Sequence, residues 1–443
     1  MKTRTIEIKE LSHTGHGIGY TQGQDALHVL GAFPGDIVEV QIYKSAEGIN
    51  YAQIIKIVKA SKDRSYTPSE APFFDANAPW RYLESKRENA HKKTIVHNLF
   101  SEYADVDISS EIKSQDNTTH YRNKAAYSFM LNTKGNLCFA LYPRGTSSSK
   151  KIEQHDNILV HEMINKAGKQ FLHFFNQRKV PLSILKYLVL RYSYSHNDVV
   201  AQILVTETNR KKLPWKKSDL ETFISTYPYI KGILVSHSEA GIRSSLSTKD
   251  FYHTGDISIN EELCEKNYQY HPSQFFQIYP EAFADILDDC HKLVSEIPEH
   301  RSYELLDLFA GVGIIGIHLA DLVSKVRGVE QSPLAQKYAL INAKNNGIGN
   351  YFFNQGDVDD LLTFIQKEQI LVIDPPRSGL SNKTKEQILE IQPKYIIYIS
   401  CNPETQACDF KELQKAYDLK WSQAYNLFPK TSHVEHIIYL KTK

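Results

Sequence analysis

Hydrophobic and polar positions along the chain fall into three successive textures. Over residues 3–60, short β-branched runs (TIEIKEL, DIVEVQIY, YAQIIKIVKA) alternate with glycine-bearing turns (HTGHGIGY, GAFPGD, SAEGIN). Period-two alternation over such lengths predicts strands, and the glycines permit the tight turns between them. A five-stranded OB-like β-barrel over residues 1–60 follows. Barrels of this size often carry oligonucleotides across a strand face.

The next stretch, SKDRSYTPSEAPFFDANAPW, is turn-rich. It runs into RYLESKRENAHKKTIVHNLF, which has helical spacing at Leu83, Ala90, Thr94 and His97 and a basic face of Arg81, Lys86, Arg87, Lys92 and Lys93. From about 120 to 270, strand patterns (YRNKAAYSFML, LCFALYP, LKYLVLRYSY, VVAQILVTE, IKGILVSH) surround one amphipathic helix at 161–175. Basic clusters at Arg144, Lys150 and Lys151, and at Arg210, Lys211, Lys212, Lys216 and Lys217, lie beside aromatic-rich strands, a combination suited to RNA. Residues 61–269 are therefore expected to form an α+β central domain that contacts RNA.

After residue 270 a helix at 280–297 precedes alternating strand and helix signals: YELLDLF, GIIGIHLADLV, VRGVE, PLAQKYALINAKNN, YFFNQGD, a helix near Leu361, ILVID, KTKEQILEI, YIIYIS, PETQACDFKELQKAY and HVEHIIYL. Strands buried on both faces and separated by helices predict a doubly wound, Rossmann-like α/β domain over 270–443.

Composition narrows the function classes. With 443 residues, 41% hydrophobic and 23% charged, the chain is neither disordered nor fibrous. Lys plus Arg number 52 against 51 Asp plus Glu, so nucleic-acid contacts must come from local patches. The five cysteines (Cys138, Cys264, Cys290, Cys401, Cys408) form no CxxC pair, which argues against a zinc ribbon or a secreted disulfide framework. The opening residues lack the apolar core of a signal peptide, and the most apolar stretch, 308–317, is half a membrane span. A soluble, cytoplasmic protein with no membrane partner is expected.

The chemistry concentrates in the third texture. Gly311, Gly313 and Gly316 form GxGxxG directly after a predicted strand, where a backbone turns tightly and approaches a ligand. Glu330 follows Gly311 by 19 residues, at the end of the next strand, where a carboxylate binds an adenosine ribose. NAD and S-adenosylmethionine both carry that ribose. Asp374-Pro375-Pro376-Arg377 at a strand edge suggests a methyltransferase that handles a flat nucleobase. Amino-group methylases usually place an aromatic residue where Arg377 stands, which speaks against an exocyclic amine as target. Cys401 ends the next strand, with Asn402 as N-cap, Pro403 at N1 and Glu404 in the first turn. A thiol at the positive end of a helix is expected to have a lowered pKa and to act as a nucleophile. Such a thiolate solves a specific difficulty, because C5 of uracil is too weakly nucleophilic to take a methyl group from a sulfonium. Addition at C6 makes C5 an enolate carbon, and a base must later remove the C5 proton. Glu435, His433 and His436 in HVEHIIYL are the candidates, and chemistry alone leaves all three open.

Six ordered motifs (Tyr121-Arg122-Asn123-Lys124, Phe275-Phe276-Gln277, DLFAGVG, IDPPRSG, YISCNP and HVEH) make the chain resemble the RNA uracil-5 methyltransferases over essentially its whole length. Its first 60 residues resemble their TRAM domain. The resemblance implies S-adenosylmethionine-dependent methylation of uridine C5 in structured RNA, with 23S ribosomal RNA favoured, transfer RNA second and DNA not expected. It implies Cys401 as nucleophile, Glu435 as proton-abstracting base, and Gln277, Phe309, Glu330 and Asp374 as cofactor residues beside Gly311 and Gly313. Asp357 of the QGD turn is implied as an adenine contact. Many members hold a [4Fe–4S] cluster on Cys-x5-Cys-x2-Cys and a fourth cysteine. The matching positions here are Ala71, Asn77, Trp80 and His155, so no cluster or other metal is expected, and Phe73, Phe74 and Trp80 are expected to pack in its place. The competing readings are an amino-group RNA methyltransferase, a non-catalytic RNA-binding assembly factor and, more distantly, an NAD-dependent dehydrogenase.

Overall fold

Alternation in the first sixty residues produces five strands, β1 (Thr3–Leu11), β2 (His16–Tyr20), β3 (Ala26–Leu30), β4 (Ile37–Ala46) and β5 (Ile49–Lys59). They close a barrel in the order β1-β2-β3-β5-β4 around Ile6, Ile8, Leu27, Val29, Val38, Val40 and Ala52. The computed structural model describes residues 3–21, 23, 25–46, 49–70, 72–102, 111–141, 151–239 and 247–443. Ala71, Arg144 and Lys150 lie outside the described residues.

Helix α1 (Ser85–Phe100) forms where expected but buries a different face. Ala90, Thr94 and His97 are exposed, whereas Glu88, Lys92, Val96 and Phe100 are buried. Lys92 therefore leaves the basic face assigned to it. Its Nζ lies 2.9 Å from Glu88 Oε1, one turn earlier, and donates to Asn426 Oδ1 at 2.5 Å and to Phe428 O at 3.1 Å. A charge is tolerated in the interior only when paired and hydrogen-bonded in this way.

The middle of the chain builds β6 (Lys124–Leu131), β7 (Leu137–Leu141), β8 (Ile152–Glu153), α2 (Glu162–Gln177), β9 (Leu185–Ser193), β10 (Asp198–Val205), α3 (Lys217–Thr226), β11 (Ile230–His237) and β12 (Lys249–Gly255). The strands form one sheet, β12-β11-β10-β9-β6-β7-β8, with α2 and α3 on one face over Tyr127, Phe139, Phe171, Leu190 and Phe223. A hairpin, β13 (Ile259–Leu263) and β14 (Lys266–Tyr270), leads to the last unit.

That unit comprises α4 (Pro280–Ser295), β15 (Glu304–Leu308), α5 (Ile314–His318), β16 (Lys325–Glu330), α6 (Pro333–Asn345), β17 (Tyr351–Gln355), β18 (Gln369–Ile373), α7 (Asn382–Ile391), β19 (Tyr395–Ser400), α8 (Pro403–Leu413), β20 (Tyr417–Tyr425) and β21 (Glu435–Thr442). Its sheet runs β17-β16-β15-β18-β19-β21-β20. The first five strands are parallel, and β21 lies antiparallel between β19 and β20. Strand β20 was not anticipated; its pattern, YDLKWSQAY, is interrupted by a register shift at 419–421. Helix α5 has five residues, and two 3-10 turns (Val358–Asp360, Leu362–Phe364) replace the helix expected near Leu361. Two elements within 61–269 pack on this last unit. Val96 and Phe100 of α1 share a core with Leu306, Ile373 and Phe410, and Ile259, Tyr268 and Tyr270 of the hairpin share one with Ile286 and Ile315.

The buried pair on α1 gives a stability prediction. Lys92→Met leaves the buried Glu88 carboxylate with only the more distant Lys430 ammonium, 3.8 Å from Oε2, and should cost about 3 kcal/mol in urea denaturation. Glu88→Gln/Lys92→Met removes both charges while keeping an acceptor, and should recover most of that loss.

Candidate active site

The parallel strand order brings the C-terminal ends of five strands to one edge, where open α/β sheets bind ligands. Glu330 is the last residue of β16, and Phe309, Asp374 and Cys401 are the first residues beyond β15, β18 and β19. The Asp374 amide donates to Leu308 O at 3.4 Å. Glu435 arrives from the opposite direction. The β19–β21 ladder ends with Ser400 paired to His436, and Cys401 and Glu435 are the next residue along each chain segment, Glu435 pairing on its other side with Tyr425.

Burial is the largest influence on the charges here. It pushes the Asp374 carboxyl up to about 7. It also raises the Glu435 carboxyl well above its ordinary value, with Asp374 adding to the rise and Arg377 opposing it. The Cys401 thiol is pushed up to about 12 by burial, then by Glu435 and Asp374, against Arg377. This corrects the lowered pKa expected at a helix start. A helix N-terminus contributes about 0.3–1 kcal/mol to a surface anion, less than the ~1.4 kcal/mol of a single pKa unit, so burial and two facing carboxyl groups prevail. Asn402 precedes α8 but does not cap it with its side chain; its Nδ2 donates to Arg377 O at 3.0 Å.

The three residues of HVEH differ sharply. His433 Nδ1 lies 3.1 Å from Arg377 Nη2. His436 is buried, with Nδ1 2.7 Å from Gln406 Oε1 and its ring 4.9 Å from that of Phe100, and burial lowers its pKa to about 3. After burial, Glu435 is the largest influence on the Cys401 thiol.

The glycine loop turns through left-handed backbone at Phe309 (φ 63°), Gly311 (φ 54°) and Gly313 (φ 85°). A Cβ at Gly311 would meet nothing within 4 Å, so the loop backbone borders open space. Asp307, pushed up to about 8 mainly by burial, anchors the turn by accepting from the Gly316 amide at 3.0 Å. Glu330 Oε1 accepts from the Ser332 amide at 3.1 Å. Gln277 is buried, and its carbonyl accepts from Asn123 Nδ2 at 3.0 Å, which ties the YRNK segment to FFQ. Asp357 is exposed, and its carboxylate caps a 3-10 turn by accepting from the Asp359 amide at 2.9 Å. One supporting residue was missed. Arg191 is buried within β9, its Nε donates to Pro272 O at 2.8 Å and its Nη2 to Gln274 O, so it pins the loop that leads to Gln277. Nothing local in LVLRYSY marks that role.

A cavity of about 820 Å³ opens over Cys401. Its walls come from every part of the chain: His13, Thr14 and His16 of the barrel unit, Asn77, Arg122, and Arg377, Asn402 and His433 beside the thiol.

The model of the tRNA (uracil-5-)-methyltransferase family matches residues 84–443. The chain belongs to that family. The TRAM-domain model matches residues 1–55, over the barrel. This RNA methyltransferase is 27% identical over 457 residues to a relative from Bacillus cereus, covering 100% of this chain and 97% of the relative. It is 29% identical over 449 residues to one from Caldanaerobacter subterraneus, covering 97% of each. Both relatives are named RNA methyltransferases. Its fold matches that of the Pyrococcus abyssi tRNA (uracil-54, C5)-methyltransferase, solved in complex with S-adenosyl-L-homocysteine, with a TM-score of 0.77 at 21% identity over 99% of this chain and 100% of the other.

In this methyltransferase the cluster loop is rebuilt. Trp80 is buried, its Nε1 donates to Gly15 O at 3.0 Å and its amide to Lys430 O at 3.0 Å, and the Lys92 ammonium lies 5.8 Å from its ring centroid. Phe73 is buried and Phe74 half-buried, both beside Gly31. Asn77 Oδ1 accepts from Gln154 Nε2 at 3.5 Å, while His155 is exposed. An iron–sulfur cluster does not fit this donor set, because positions 77, 80 and 155 offer no thiolate. Among the described residues no helix is long and apolar enough to cross a membrane.

The electrostatics predict how the thiol reacts. In a Cys408→Ser background, iodoacetamide should label Cys401 slowly at neutral pH and faster as pH rises, since only the thiolate reacts. Asp374→Asn removes a repelling charge and should shift that curve to lower pH, read by mass spectrometry of the Cys401 peptide. A curve already flat from mildly acidic pH contradicts the assignment.

Proposed function

We propose that this methyltransferase transfers the methyl group of S-adenosylmethionine to C5 of a uridine in structured RNA, with ribosomal RNA as the favoured substrate. The observation that carries this reading is the charge of Glu435 acting on the Cys401 thiol at the sheet edge, where the β19–β21 ladder ends. The tRNA substrate named for the Pyrococcus abyssi protein makes transfer RNA the second reading.

S-adenosylmethionine supplies an electrophilic methyl group on a sulfonium. Gln277, Phe309, Gly311, Gly313, Glu330, Asp357 and Asp374 are the residues that would hold it. The edge suits such a cation, because Asp307, Glu330, Asp374 and Glu435 bring carboxyl groups together there, and the open space beside Gly311 admits a ligand against the backbone.

The chain's own residues then account for the rest. A uridine rotated out of its stack presents C6 to Cys401. The Cys401 thiol gives up its proton to solvent, the thiolate adds to C6, forming a carbon–sulfur bond, and the C5–C6 π electrons move onto C5 and O4. Once C5 carries both a proton and the new methyl group, Glu435 removes the proton. The electrons of the C–H bond restore the C5–C6 double bond and expel the thiolate, so Cys401 is regenerated. A carboxyl whose burial disfavours its charged form is a stronger base when ionised than one in water. Proximity to the thiol and this basicity favour Glu435 over His433 and His436.

Cys401→Ala should abolish transfer of label from the methyl donor to RNA while leaving donor binding intact. Glu435→Gln should form the carbon–sulfur bond without resolving it, giving a protein–RNA adduct on denaturing gels. Mapping 5-methyluridine in total RNA with and without the gene separates the ribosomal from the transfer RNA reading, and label on an exocyclic nitrogen would contradict both.

A further inference from the structure

We propose that Gln274 is a positioning residue for the methyl donor, whose side chain bridges to Ser332 and so holds the loop that carries Gln277 against the turn that follows Glu330; this rests on the reading above that Gln277 and Glu330 hold the donor. Gln274 Nε2 lies 3.3 Å and its Oε1 3.4 Å from Ser332 Oγ. Ser332 is fixed from two other directions. Its hydroxyl caps α6 by accepting from the Ala335 amide at 3.3 Å, and its own amide donates to Glu330 Oε1 at 3.1 Å. The residue that meets Gln274 is therefore the one that orients the carboxylate assigned to the ribose.

The other end of the bridge belongs to the central sheet. Gln202 Nε2 of β10 donates to Ser273 Oγ at 3.1 Å, Arg191 of β9 donates to the carbonyls of Pro272 and Gln274, and Asn123 donates to that of Gln277. The Gln274 amide donates to His271 O at 2.9 Å. The loop backbone is thus held without the Gln274 side chain, and α6 is capped without it, so neither element needs the bridge in order to fold. Between Gln274 and Gln277, Phe276 is buried and stacked on Tyr270, with ring centroids 4.2 Å apart and planes 5° from parallel. A segment so short and so firmly packed carries a displacement at Gln274 on to Gln277. The loop from the central sheet then supplies one wall of the donor site and the end of β16 the other, and the Gln274–Ser332 contact sets their separation. A site held at its bound width spares the donor the cost of ordering the two walls. The chemical step depends on Cys401 and Glu435, at other strand ends, and is not served by this contact.

The test uses the full chain, with isothermal titration of S-adenosyl-L-homocysteine and initial rates of label transfer from S-adenosylmethionine to total RNA from cells lacking the gene. Gln274→Met keeps the length of the side chain and removes both polar atoms. It should weaken S-adenosylhomocysteine binding and raise KM for S-adenosylmethionine by about three- to tenfold, the range of a single hydrogen bond. The maximal rate at saturating donor should stay within about twofold of native, because the transition state for methyl transfer gains nothing further from the bridge. Native affinity in this variant overturns the proposal, and so does a maximal rate that falls as far as the affinity, which is the mark of general loss of packing. Glu330→Gln is titrated in parallel. Native affinity in Glu330→Gln removes the donor site from this edge and takes the functional reading with it, whereas weakened binding there beside native binding by Gln274→Met strikes the bridge alone.

Discussion

One backbone register governs this protein's candidate chemistry. Strand β21 lies antiparallel between β19 and β20, and pairing Ser400 with His436 ends the ladder one residue from both Cys401 and Glu435. A slip of one residue would exchange the faces of every side chain on β21. Shifted so that Glu435 takes the place of His436, the carboxyl would be driven against Phe100 and away from the thiol. Several contacts fix the register. Ile437, Ile438 and Leu440 are buried within the sheet, and Gln406 of α8 spans the ladder, donating to Tyr398 O at 2.8 Å and to His436 O at 3.2 Å.

The segment that enters β21 is held from every other part of the molecule. Lys430, in left-handed backbone (φ 63°), donates its amide to Glu88 at 2.9 Å and its Nζ to Leu83 O and Ser85 Oγ, both at 2.9 Å. Tyr121 of the YRNK segment donates to Pro429 O at 3.0 Å, and Ser432 donates to Thr14 O, beside the barrel, at 3.3 Å. The Trp80 amide donates to Lys430 O at 3.0 Å. The buried Glu88–Lys92 pair and the Trp80 indole thus stand at the junction of the barrel, α1 and the segment that enters β21.

Much of this was legible in the sequence, for identifiable reasons. The barrel and the parallel strands rest on local alternation and on glycine turns, and the motif residues Phe309, Glu330, Asp374 and Cys401 fall at strand ends because turn chemistry marks those ends. What escaped depends on contacts distant in the chain. The period of apolar residues in α1 could not reveal that a charged pair, Glu88 and Lys92, faces inward toward Asn426. The thiol pKa was misjudged because the helix start is local, whereas Asp374 and Glu435 come from other strands. Choosing among Glu435, His433 and His436 likewise required the register. Arg191 carries no local mark, since its partners, Pro272 and Gln274, lie about eighty residues away.

The central claim is a temporary bond between residue 401 and the pyrimidine ring. RNA transcribed with 5-fluorouridine in place of uridine tests it directly, because fluorine at C5 cannot be removed as a proton and the carbon–sulfur bond should persist. Incubation with the methyl donor, nuclease digestion and peptide mapping should then find a methylated fluorouridine nucleotide joined to Cys401. A peptide map with Cys401 unmodified, from protein that methylates ordinary RNA at full rate, would contradict the account.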